Sequence, residues 1–129
     1  MAQAVNYIHA SVLAGGVIVV DYNSSLVMRY YLCSGMGNMI RNFENQMSQF
    51  ACAKYEMART RGYEWMFTRG NFGPILARME KQFRWRHGQP IWLAQAAEMR
   101  LDAPVLARFG AGPSKEFGQN ISVAQLRAP

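Results

Sequence analysis

Charge is scarce in this 129-residue chain: Asp, Glu, Lys and Arg make up 17% of it, against 50% hydrophobic residues. That balance excludes a disordered, self-repelling polypeptide, whose composition is polar and charge-dense. One domain's length of chain with half its residues apolar can bury a core of its own. Residues that carry chemistry are few as well, with His9 and His87, Cys33 and Cys52, and Asp21 and Asp102 as the whole stock of their types. The histidines and cysteines show no metal-ligand spacing, and Glu56, Glu64, Glu80 and Glu98 lie among arginines that would pair with them. Gly35-Met36-Gly37 opens like a dinucleotide fingerprint but lacks the third glycine. No catalytic residue, metal or cofactor is therefore expected, and the chain reads as non-enzymatic.

Long hydrophobic runs are missing too. The most apolar stretch, Val12 to Val20, is closed by Asp21 and falls well short of the roughly 20 residues that span a bilayer. No base precedes Arg29, so the charged start of a signal peptide is lacking and a non-secreted protein is expected. The Asn-x-Ser triplets at Asn23 and Asn120 then carry no glycan meaning. Read within one helical stretch, Cys33 and Cys52 fall roughly 28 Å apart, beyond disulfide reach. Buried thiols in a reducing compartment are the expectation.

Helical spacing dominates the middle of the chain. Asn23, Ser24 and Ser25 offer an N-cap, and Met36, Ile40, Phe43, Met47, Phe50 and Ala51 recur at three- and four-residue steps. This predicts a long helix that continues to about Arg61 and stops at Gly62. Gly35 and Gly37 interrupt it and mark a break or a close crossing. Arg69-Gly70-Asn71-Phe72-Gly73-Pro74 reads as a turn that sets Pro74 at the start of a helix running to Arg86. Shorter helices are predicted from Pro90 to Leu101 and from Pro104 to Phe109. The sequence thus predicts an all-α subunit in three parts: an apolar N-terminal arm (1–22), a helical core (23–110) and an extended, irregular C-terminal tail (111–129). The arm's Val/Ile run suits a buried strand as well as a helix packed on all sides.

What is present is positive charge, unevenly placed. Of the 14 Lys and Arg, ten fall in residues 54–109, against five acids there, and only Lys54, Lys81 and Lys115 are lysine. Arginine forks onto phosphate oxygens better than a point charge does. Arg78, Lys81, Arg84 and Arg86 bracket Trp85 at a helix end, where phosphates could be neutralised while the indole covers a sugar or base face. The bland alternative is a Trp85 packed on the fold with arginine stems around it. Nine Met, six Tyr, seven Phe and three Trp suit a protein that buries faces against copies of itself.

This arrangement resembles the major capsid proteins of the archaeal filamentous viruses, small and mainly helical subunits that dimerise and wrap double-stranded DNA. The resemblance covers the order of the predicted helices and rests on no signature motif. It implies a structural virion subunit, assembled in the host cytoplasm, that sheathes nucleic acid without sequence specificity, DNA favoured over RNA. It also implies a homo-oligomer or a heterodimer with a related subunit, and possible contact with a lipid envelope. Lys54, Arg59, Arg61, Arg69, Arg78, Lys81, Arg84, Trp85 and Arg86 would line the DNA. The lack of bases before Arg29 departs from a DNA-binding arm. A net charge of +6 would neutralise roughly three base pairs of duplex. The alternatives are a small helical DNA-binding regulator and an adaptor docking on a membrane or partner through Val12 to Val20.

Overall fold

A computed structural model describes residues 2–20, 22–33, 38–42, 48–59, 73–96, 103–110, 114–117 and 121–129. Its elements run in the order α1 (Ala2–Ser11), β1 (Val17–Val20), α2 (Tyr22–Leu32), β2 (Asn38–Asn42), β3 (Ser48–Cys52), β4 (Tyr55–Arg59), α3 (Gly73–Gln82), β5 (Pro90–Ala96), α4 (Ala103–Arg108), β6 (Ser114–Phe117) and β7 (Ile121–Arg127). The strands form one seven-stranded sheet in the order β2-β3-β4-β1-β5-β7-β6. The all-α expectation is thus corrected to a mixed α/β fold, and the helical series that carries the capsid resemblance is not the one the chain adopts.

β1 explains the architecture. Val17, Ile18, Val19 and Val20 are all buried, and the strand lies parallel to both β4 and β5. A strand covered on both faces reads as a continuous β-branched run, because no position needs to meet water. Ile18 and Val20 join the core cluster under α1 and α2, where Ala4, Val5, Ile8, Met28 and Leu32 pack. Val17 and Val19 face the other way, into the cluster with Ile75, Leu76 and Met79 of α3 and with Phe109. The least charged segment of the sequence is therefore covered by this same chain. Each such fully buried aliphatic contributes about 1.5–3 kcal/mol. Gly16 closes the turn from α1 into β1, because a Cβ there would run into the Val12 side chain and stand 2.9 Å from the Leu13 carbonyl oxygen.

The long helix predicted to reach Arg61 is replaced by α2 and an antiparallel meander of β2, β3 and β4. Phe50 and Cys52 on β3 and Tyr55 and Met57 on β4 are buried on one face, so the operative period is two. Steps of three and four through Phe50 and Ala51 coincide with that alternation over too few residues to separate the patterns. The β3–β4 turn carries no glycine; Ala53 adopts φ 52° there. The helix predicted from Pro90 is instead β5, with Ile91, Leu93 and Ala94 buried between both layers. The C-terminal tail is an antiparallel pair, β6 and β7, with β7 bonded along the length of β5.

Cys33 and Cys52 form a disulfide with their Cα atoms 4.4 Å apart. Distance along a supposed single helix excluded that bridge; the chain instead turns back, so the end of α2 meets the end of β3.

Candidate functional site

The parallel trio sets the first feature. Val20 of β1 lies level with Arg59 of β4 and Ala94 of β5; β1 and β4 reach their carboxyl ends there and β5 runs on to Ala96. α2 begins just beyond Val20, at Tyr22. α3 leads back to Pro90 at the opposite end of the sheet, so its own first turn points to the same carboxyl edge. The two helices pack on opposite faces, and neither has an acidic residue in its first turn. A helix start offers unsatisfied N–H groups and about half a positive charge, which favour an anion.

Two guanidinium groups add to that field. Arg29, about two turns into α2, stands 3.9 Å over the Phe50 ring, and Arg59 stands 5.0 Å over the same ring. Phe50 is fully buried, and both arginines are half-buried. The Arg29 pKa is lowered, first by desolvation and then by the nearby positive charge of Arg59. Two like charges are thereby gathered at one buried ring.

The second feature is a basic rim at the amino end of β5. α3 ends in a Schellman turn, in which the Trp85 amide donates to the Glu80 carbonyl at 3.1 Å. Arg84 occupies the left-handed position there with φ 55°. Glycine favours that position, and a side chain costs roughly 1–2 kcal/mol. Backbone hydrogen bonds tie the rim together: Gly88 donates to Ala128 at 2.8 Å, Ala128 to Gln89 at 3.0 Å and Arg127 to Phe109 at 2.6 Å. The Arg127 guanidinium donates to the Gly88 carbonyl at 3.2 Å. Lys81, Arg84, Arg86, Arg108 and Arg127 are exposed. Glu80 pairs with Arg108 at 3.4 Å.

The residues expected to line DNA are therefore divided. Lys81, Arg84 and Arg86 share the rim, and Arg78 is half-buried on α3. Trp85 is half-buried and packs against the α3-side core beside Phe83, with ring centroids 6.3 Å apart. Lys54 sits in the β3–β4 turn over Tyr55, at the other end of β4 from Arg59. Arg61 and Arg69 lie outside the described residues. Sequence reasoning missed Arg29, Arg108 and Arg127, and no local signal marks them: tertiary pairing alone brings them to these places.

His9 is the other side chain with a polar partner of note, its Nδ1 lying 3.0 Å from the Tyr55 hydroxyl. Among the described residues no three His, Cys, Asp or Glu side chains gather as a metal-holding group, and no helix is long and apolar enough to cross a membrane. Set against family models, curated proteins and solved structures, the chain matches none of them. The functional reading therefore comes from geometry alone.

Proposed function

We propose that this chain is a small-ligand-binding α/β domain whose ligand carries a phosphate or pyrophosphate, seated at the carboxyl edge of β4, β1 and β5. The observation that carries the reading is the shared direction of these three parallel strands, with α2 and α3 packed on opposite faces of the sheet. In open α/β sheets, ligands lie outside the carboxyl ends of the strands where the chain's direction of travel along the sheet reverses. Here the chain leaves β1 toward β2, β3 and β4, then crosses by α3 to β5 on the other side of β1. Arg29 and Arg59 supply charge beside that edge.

Titration calorimetry and thermal shift with pyrophosphate, ATP, NAD and coenzyme A test this, with adenosine as the phosphate-free control. At least one nucleotide-type diphosphate is expected to bind with a Kd below about 100 µM and to raise Tm. Arg59→Gln and Arg29→Gln should each weaken it about tenfold or more, since a hydrogen bond to a charged group is worth about 1.5–3 kcal/mol. Failure of every compound at millimolar concentration overturns the reading, as does binding that both substitutions leave unchanged.

A second reading, contact with nucleic acid, is favoured by the basic rim. The expectation of a sheathing subunit keeps that rim as support, but among the described residues β2, β3 and β4 stand where the long helix is predicted.

A further inference from the structure

We propose that the rim formed by Lys81, Arg84, Arg86, Arg108 and Arg127 is a docking surface for the phosphate backbone of duplex nucleic acid, separate from the carboxyl-edge ligand site. Three observations carry it. The first is charge. Of the acids among the described residues, Glu56 accepts a hydrogen bond from Gln49 on β3 and Glu116 lies on β6, leaving Glu80 beside the rim's five cations. The second is rigidity. Hydrogen bonds join Gly88 and Gln89 to Ala128, Arg86 to Gln89, and Arg127 to Phe109, and so fix the relative backbone positions of three separate parts of the sequence that carry the cations. A preorganised backbone leaves only the side chains to be ordered when they meet a polyanion.

The third is Arg84. A left-handed position that closes a helix is where folding favours glycine. An arginine held there projects charge from the shelf at the expense of backbone comfort, which fits a surface role better than a folding one.

The occupant follows from what the rim lacks. Docking on an anionic membrane inserts apolar side chains, and the large exposed apolar residues among those described, Leu13, Val27, Tyr30 and Tyr31, come from α2 and from the turn after α1, outside the rim. Acidic proteins are held by aromatic and aliphatic anchors at an interface centre, and Trp85 is half-buried against the α3-side core. A phosphate ladder with one charge per about 1.7 Å needs neither. Arginines that meet phosphates set position and affinity and read no sequence.

The test is fluorescence anisotropy of the full chain with two labelled 20-base-pair DNA duplexes of unrelated sequence, over a salt series. Both should bind equally, and affinity should fall about a hundredfold between 50 and 200 mM salt, as about four phosphate contacts require. Arg84→Gly and Arg86→Gln should each weaken binding severalfold and reduce the salt slope by about one. Arg84→Gly should keep or raise thermal stability, which separates lost contact from lost fold. Arg59→Gln should leave duplex binding unchanged, so this proposal and the carboxyl-edge reading fail independently. The proposal is overturned by no binding at 50 mM salt, or by Arg84→Gly and Arg86→Gln both binding as the parent does. It is also overturned if anionic vesicles or polyglutamate displace the duplex at equal charge.

Discussion

At the carboxyl edge of the sheet two arginines from distant parts of the chain lie half-buried against one ring, Phe50. At the amino end of β5 five cations stand exposed on a shelf tied together by main-chain hydrogen bonds. The same side chain serves two physical ends. A guanidinium partly withdrawn from water is screened less and held in a defined geometry, and desolvation depresses the Arg29 pKa. Exposed cations act over about 8 Å at physiological salt and are screened beyond it. The first arrangement suits one small anion and the second suits a long one, so charge counted along the sequence cannot distinguish the two.

The comparison breaks hardest at Phe50. Phe50→Ala removes a fully buried ring from beneath both arginines, and about 3–5 kcal/mol of stability should go with it in a denaturant titration. A loss below about 1 kcal/mol would show that the ring does not support that edge. Reducing the Cys33–Cys52 disulfide comes next. It closes a loop of about 20 residues, and its loss should lower stability by about 3 kcal/mol, readable as a fall in Tm on adding dithiothreitol. Because it pins the end of α2, which carries Arg29, reduction should weaken phosphate-ligand binding and spare the rim's affinity for duplex. Equal losses at both edges would mean that they are one cooperative unit.

Smaller effects sharpen the contrast. Arg84→Gly should raise stability by about 1 kcal/mol in the same titration, since glycine adopts the left-handed position without strain. Glu80→Gln frees the Arg108 guanidinium from an exposed pair. Stability should then move by less than about 1 kcal/mol, while duplex affinity rises about twofold to fivefold as one negative charge leaves the shelf. An unchanged affinity would remove Arg108 from the surface.

How much of this the sequence discloses depends on where each decision is made. Pro74 marks the start of α3 because its ring fits the first turn and its missing N–H is not needed there. The Val17–Val20 run reads as buried, yet nothing local tells strand from helix, since a run covered on both faces has no period. β5 is illegible for the same reason. The β3–β4 hairpin hides because Ala53 and Lys54 replace the glycine or asparagine that announces a tight turn. The basic stretch from Arg78 to Arg86 is visible, but its joining with Arg108 and Arg127, and the distant meeting of Arg29 with Arg59, are products of sheet order. Spacing misplaced the cysteines because a ruler laid along one helix has no meaning once the chain doubles back.

The position of β1 bears on how the protein is made. It leaves the ribosome first among the strands, yet its two neighbours, residues 55–59 and 90–96, follow much later, and β7, residues 121–127, later still. At about 5–20 residues per second, four consecutive β-branched residues wait several seconds without a partner while synthesis proceeds. Nascent chains should therefore depend on chaperones until β5 and β7 have emerged, and truncation before β7 (Ile121–Arg127) should leave a product prone to aggregation.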